Sequence, residues 1–134
     1  MTEDTAFHPT FPGFGRMVGL RPVEYGDGEC TVEVEVKEAH LNAGGVAHGG
    51  LHATLLDTAL GGALLSLVRP EEWCATAEIV VSYIRPSTEG MTLTANGKVV
   101  KRGKSIAHME GEIRDSEGRL IATAKGTWAI WKVD

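Results

Sequence analysis

The stretch LHATLLDTALGGALLSLV, residues 51–68, decides the fold because it is apolar on nearly every side and rich in alanine and leucine. Such a run predicts a helix, and a helix without a polar face must be enclosed by protein. Asp57 near its middle argues against a membrane span, since a central aspartate costs about 3 kcal/mol there. Arg69-Pro70 ends the run, because proline disfavours helix in the residue before it.

Strand-like runs surround this helix. Residues 30–36, CTVEVEV, alternate apolar and polar side chains, which indicates a strand with one wet face, and residues 17–21 are compatible with another short strand. After the helix come four runs rich in β-forming residues, at 76–84, 91–100, 105–114 and 120–131. The order predicts an α+β protein: two strands, the buried helix, then a four-strand meander, with three of its strands joined as hairpins, curled around the helix.

The bulk composition fits one domain. With 134 residues, we expect an N-terminal arm at 1–15, where prolines and glycines prevent regular structure, and a single domain at 16–134. The net charge of −5 argues against nucleic acid as a partner. The acidic start predicts no secretion signal, hence a cytoplasmic protein, and Cys30 and Cys74 are expected to be reduced thiols.

Residues 40–57, HLNAGGVAHGGLHATLLD, resemble the hallmark of the PaaI-like branch of the hotdog thioesterases: an Asn, a His-Gly-Gly, and an Asp nine residues after the His. Residues 76–86, 99–104 and 122–127 resemble the later strands of that family. The resemblance implies a curved antiparallel sheet around one long helix. It also implies hydrolysis of a coenzyme A thioester without a metal or an organic cofactor.

Gly49, Gly50 and Asp57 are the first candidate site residues. The two glycines stand where the loop becomes the helix, so their backbone N–H groups lie at the positive end of the helix dipole. The resemblance implies that Gly49 is the oxyanion donor, and the alternative is a plain turn glycine. For Asp57, a carboxylate in an apolar helix suggests catalysis, and the alternative is a partnered core carboxylate.

The spacing of these residues predicts a shared site. Eight residues of helix separate Gly49 from Asp57 by about 12 Å, too far to serve one carbonyl. We therefore expect the Asp57 of a partner subunit to act beside Gly49, which a two-fold dimer allows. The resemblance implies a dimer at least, and a homotetramer built as a dimer of dimers.

Three further residues match the family pattern. Asn42 is expected to hold the substrate carbonyl or the water, Thr76 to position water, and His48 to brace the loop. Asn42 beside two glycines also fits a loop-shaping role, and Thr76 also fits an ordinary strand position. Asp57 is expected to act as a general base or as a nucleophile, with the base favoured.

Four basic residues are candidates for the phosphates of coenzyme A. A charged hairpin tip is also commonly just solvated. These candidates are Arg85, Lys101, Arg102 and Lys104.

Other site types fit less well. His48 and His52 lie four residues apart, but no glutamate follows His48 as in HExxH, so no metal is expected. No serine lies in a GxSxG elbow. The expected function is hydrolysis of an aryl- or medium-chain acyl-CoA. The alternatives are a module that binds acyl-CoA without cleaving it, and a hydratase of the same fold, whose Asp and His pair is not found here.

Overall fold

The computed structural model describes residues 10–134 as a six-stranded antiparallel sheet with one long helix packed on one of its faces. The helices are α1 (Gly13–Val18) and α2 (Gly49–Leu65), with a 3-10 turn at Glu38–His40; the strands are β1 (Arg21–Gly26), β2 (Glu29–Glu35), β3 (Glu72–Tyr83), β4 (Thr92–Arg102), β5 (Ile106–Arg114) and β6 (Leu120–Lys132). The predicted α+β hotdog architecture is confirmed.

The strand order is β1-β2-β4-β5-β6-β3, so β1 and β3 are the two edges of the sheet. Strands β4, β5 and β6 pair consecutively, as the predicted hairpins require. The expected four-strand meander is wrong, because β3 pairs with β6 along its whole length instead of with β4. Sequence periodicity marks a strand but does not name its partner, and this pairing joins residues far apart in the chain.

Helix α2 lies directly on the sheet. Its leucines Leu55, Leu56, Leu60 and Leu64 are fully buried and form the centre of the hydrophobic core. Beneath them, Gly97 of β4 lies so close that a Cβ at that position would collide with the carbonyl of Ala59. The helix backbone therefore rests on the strand backbone with no side chain between them.

One face of α2 remains open. Asp57, Thr58, Gly61 and Gly62 are only partly buried, and Leu65 is exposed. The expectation that the helix is enclosed on every side is therefore wrong within a single chain, because the six strands cover only the leucine face. This open face of α2 carries the carboxylate of Asp57.

The N-terminal segment is more ordered than predicted. Residues 13–18 form α1, which begins after Pro12 and ends at Gly19, whose φ of 92° lets its N–H bond back to the helix carbonyls. The expected strand at 17–21 is therefore wrong, and β1 begins at Arg21. The rest of the predicted arm, residues 1–9, lies outside the described residues. Across residues 10–134, no helix combines the length and apolarity needed to span a membrane.

Candidate active site

The first turn of α2 leaves one backbone donor free. His48 caps the helix, and its Nδ1 accepts the N–H of Gly50 at 2.8 Å. Within residues 10–134, the N–H of Gly49 has no hydrogen-bond partner. The structure therefore distinguishes the two predicted glycines: Gly50 is occupied by the cap, whereas Gly49 offers its N–H at the positive end of the helix dipole.

Tyr83, at the end of β3, holds the next peptide group along the chain, the one that joins Gly49 to Gly50. Its hydroxyl donates a 2.6 Å hydrogen bond to the carbonyl of Gly49. A Cβ at Gly49 would lie 3.2 Å from that hydroxyl oxygen, so a side chain would crowd the contact. Tyr83 was not a predicted site residue: its segment matched the family pattern, but its distance from Gly49 in the chain gave no sign of contact.

A buried polar pair supports Tyr83. The ring of His52 meets the ring of Tyr83 edge-on, with centroids 5.5 Å apart, and its Nε2 lies 3.1 Å from the hydroxyl of Ser87. Both His52 and Ser87 are buried, and burial lowers the pKa of His52. The carbonyl of Ser87 also accepts the N–H of Ala47, so the loop before α2 is tied to the segment after β3.

Asp57 and Thr76 meet on the open face of α2. The hydroxyl of Thr76 donates a 2.7 Å hydrogen bond to Oδ1 of Asp57. The β3–β6 pairing shifts register between Thr76 and Glu78, so a bulge occurs beside this contact. Bulges commonly re-aim a side chain next to a site. The structure thus brings two of the predicted residues together.

Asn42 shapes the loop that precedes α2. Its side-chain oxygen accepts the N–H groups of Gly44 at 2.8 Å and Val46 at 3.3 Å. The loop-shaping alternative therefore describes what the amide oxygen does. The amide nitrogen has no partner within the described residues and remains available as a donor.

Gly49 and Asp57 do not form one site within a single chain. They stand at the first residue and the ninth residue of α2, which separates them by about 12 Å along the axis. Asp57 with Thr76 can hold or activate a water molecule, and the N–H of Gly49 can stabilise an oxyanion. The contacts that position Gly49 and those that position Asp57 are each made within a single chain.

The predicted basic residues fall at opposite ends of the sheet. Arg85 follows β3, where its backbone N–H bonds to Ile121, whereas the other three lie on or beside the β4–β5 hairpin. The length of β3 separates these ends by about 35 Å. The guanidinium of Arg102 is already paired with the carboxylate of Glu72 at 2.7 Å. This hydrogen bond lowers the pKa of Glu72.

A cavity of about 620 Å³ adjoins that ion pair. Besides Arg102 and Lys104, its lining includes two cations that were not predicted, Arg69 and Lys132. Among the described residues of its lining, Glu72 is the one carboxylate. Arg69 follows the helix and Lys132 ends β6, so only the folded chain gathers this positive charge.

The two histidines considered as metal ligands have separate partners, since His48 caps the helix and His52 faces Ser87. In the part of the chain that the structure describes, no cluster of three or more His, Cys, Asp or Glu side chains is placed to hold a metal ion.

Comparison with known proteins shows the family. A family model described as the Thioesterase superfamily matches residues 44–122, which span the loop, α2 and the strands β3, β4 and β5. This chain belongs to the thioesterase superfamily. The thioesterase is 35% identical over 111 residues to a putative esterase of Archaeoglobus fulgidus, covering 83% of this chain and 70% of that protein.

Two further relatives refine the resemblance. The thioesterase is 32% identical over 116 residues to human acyl-coenzyme A thioesterase 13, covering 85% of this chain and 82% of that protein. The phenylacetic acid degradation protein PaaI of Thermus thermophilus superposes with a TM-score of 0.81 at 28% identity, covering 87% of this chain and 96% of that chain. The protein is thus a PaaI-like hotdog thioesterase, an enzyme that hydrolyses thioesters.

Proposed function

We propose that this thioesterase hydrolyses an aryl- or medium-chain acyl-CoA to the free acid and coenzyme A, without a metal or an organic cofactor, at a site shared by two subunits. One observation carries the proposal: the free N–H of Gly49 and the threonine-bound carboxylate of Asp57 lie on one helix but about 12 Å apart. The human relative's printed name, an acyl-coenzyme A thioesterase, supports coenzyme A as the thiol.

Gly49 supplies the oxyanion hole. Its N–H points from the start of α2, where the helix dipole favours the negative charge that develops on the thioester oxygen. Tyr83 and the His48 cap hold the carbonyl and the N–H of the next peptide group, between Gly49 and Gly50, and so fix the turn that follows this donor. The free amide nitrogen of Asn42 is the second donor to the same oxygen or to the attacking water.

Asp57 of the partner subunit drives the attack. As a general base, its carboxylate takes a proton from water, the water oxygen bonds to the carbonyl carbon, and the C–S bond breaks to release the thiolate, which receives that proton. As a nucleophile, the carboxylate itself displaces the thiolate, and water then hydrolyses the anhydride. We favour the base, in which the oxygen that Thr76 leaves free accepts the proton.

Strand β3 is the surface through which the two subunits join. It is a twelve-residue edge strand, and long free edges in soluble proteins are normally covered. An antiparallel pairing of two β3 strands centred between Ile79 and Val80 places Thr76 beside Tyr83 of the partner subunit. Since Thr76 holds Asp57 and Tyr83 holds Gly49, this register brings the two halves of the site together.

The coenzyme A phosphates bind the cationic cavity beside the β4–β5 hairpin or the isolated Arg85. In the cavity, Lys104 with Arg69 and Lys132 provides the charge, while Arg102 anchors Glu72. Lys101 extends the same patch. We further propose a dimer of dimers in the cytoplasm, where the free thiols Cys30 and Cys74 stay reduced.

The first test is release of thiol from phenylacetyl-, hydroxybenzoyl-, short-chain and long-chain CoA esters. Wild-type hydrolysis that falls at least about 100-fold in Asp57→Asn, with oligomer size and melting temperature retained, supports the proposal. Tight binding of an acyl-CoA without turnover would instead establish the non-catalytic binding module.

A second test addresses the shared site. Asp57→Asn and Gly49→Ala subunits are each expected to be inactive alone, the latter because a Cβ crowds Tyr83. Co-expressed mixed dimers should regain activity, since one of their two sites combines a native Gly49 with a native Asp57. Mixed dimers that stay inactive would show that each subunit carries its own complete site.

A further inference from the structure

A deep groove runs along the open face of α2, with Asp57 at one end. Its volume is about 780 Å³, within the range of small-molecule sites. Along α2 its lining extends from Asp57 to Leu65, which lies two helical turns beyond the carboxylate on the same face. The other walls include Phe11, Tyr25, Cys30 and Trp128. A mostly apolar channel thus starts at the proposed reacting centre.

Gly61 lies in the middle of this groove, and the chain's own packing does not require a glycine there. A glycine inside a helix costs about 1 kcal/mol relative to alanine. A Cβ at Gly61 would lie 3.5 Å from Nε1 of Trp128, an ordinary van der Waals contact. The helix therefore loses stability at this position while keeping space open beside the indole.

Gly62, the next residue, shows the contrast. A Cβ there would lie 2.6 Å from Sγ of Cys30, so close packing against β2 explains this glycine. Cys30 forms a neutral wall, because burial raises the pKa of its thiol to about 11. Of the two adjacent glycines, only Gly61 is left without a structural reason.

The length of the groove indicates the size of its ligand. Eight residues from Asp57 to Leu65 span about 12 Å of helix. An extended chain advances about 3.5 Å for every three bonds, so this distance accommodates about ten carbons. Gly61 stands halfway, beside about the fifth carbon.

We propose that this groove binds the acyl chain of an aliphatic thioester of about eight to ten carbons, and that Gly61 sets the length it accepts. The inference rests on the proposed function, because it takes the thioester to react at Asp57. It also selects the medium-chain alternative over the aryl one, since an aryl group would leave the Leu65 end of the groove empty.

The kinetic test uses saturated acyl-CoA esters of increasing length. In the wild type, kcat/KM is expected to rise about fourfold per added methylene up to about ten carbons. In Gly61→Leu the rise should stop near five carbons, so that kcat/KM no longer increases for longer esters. Leu65→Ala is the opposing variant, and its optimum should move to longer chains. The same chain-length profile in all three proteins would overturn the proposal.

Stability provides the matched control. Gly61→Ala should melt at or above the wild-type temperature, because alanine favours the helix and fits beside Trp128. It should nevertheless lose activity toward decanoyl-CoA relative to butanoyl-CoA. A marked fall in its melting temperature would show that Gly61 serves packing, which contradicts the inference.

Direct binding separates this inference from the proposed function. The S-decyl thioether of coenzyme A and free decanoate are titrated calorimetrically into the native oligomer and into Gly61→Leu. Binding to the native protein that weakens at least about tenfold in the variant supports the groove even if no thioester is cleaved. Equal binding to both, or none to the native protein because a second copy covers the groove, would overturn it.

Discussion

Thr76 on β3 donates a 2.7 Å hydrogen bond to Oδ1 of Asp57 on α2. A hydroxyl can donate only one proton, so this contact orients the threonine as well as the carboxylate. The second carboxylate oxygen keeps its lone pairs for a water molecule or a substrate atom. An edge strand thereby fixes the direction of a side chain on the central helix.

This contact predicts different results for two conservative substitutions. Thr76→Val keeps the shape and removes the donor, so kcat/KM should fall about 10- to 100-fold, the range of a hydrogen bond to a charged group. Thr76→Ser keeps the hydroxyl and should retain most activity. Steady-state kinetics over a range of pH measures both. A Thr76→Val enzyme with native kcat/KM would show that Thr76 is only a strand residue.

The Tyr83 contact predicts an effect on turnover rather than on binding. Tyr83→Phe removes the 2.6 Å hydrogen bond to the Gly49 carbonyl and leaves the ring against His52. We expect kcat to fall about 3- to 10-fold with KM little changed, because the loosened Gly49–Gly50 peptide adjoins the N–H of Gly49, the proposed oxyanion donor. Equal changes in kcat and KM, or none, would contradict a positioning role.

The free edge of β3 predicts that charge at its centre separates the subunits. Val80 is 57% exposed on this edge, and Val100, 58% exposed on the interior strand β4, is a matched control. Val80→Glu should place two carboxylates near the two-fold axis, yielding monomers without activity. Val100→Glu should keep the wild-type mass and activity. Light scattering gives the masses, and a Val80→Glu protein with the wild-type mass and activity would rule out this interface.

The burial of His52 predicts that the folded protein loses stability in mild acid. Burial lowers its pKa in the folded chain below the ordinary 6.5, so the unfolded chain binds more protons. The free energy of unfolding should therefore fall as the pH drops through 6.5. Urea unfolding between about pH 7.5 and 5.5 measures the effect. His52→Gln should flatten this slope, and a His52→Gln protein with the wild-type slope would contradict this assignment.

The sequence predicted the features that rest on local pattern. The strands follow from alternation, α2 from its apolar run, and the His-Gly-Gly motif placed Gly49 at the first residue of that helix. The pairing of β3 with β6 and the contacts of Tyr83 and Ser87 were not predictable, because they join residues about 35 positions apart or more. Helix α1 was not predicted, because its glycines oppose helix formation. Its end also depends on the backbone conformation of Gly19.

The contact between Gly97 and the carbonyl of Ala59 also bears on how this protein can evolve. Because backbone meets backbone there, no substitution on the sheet side can lift or tilt α2 without breaking the core. Selection for new substrates must therefore act on the opposite side of the helix. A lineage can thus exchange one acyl group for another by changing a few side chains there while the geometry of bond cleavage is inherited intact.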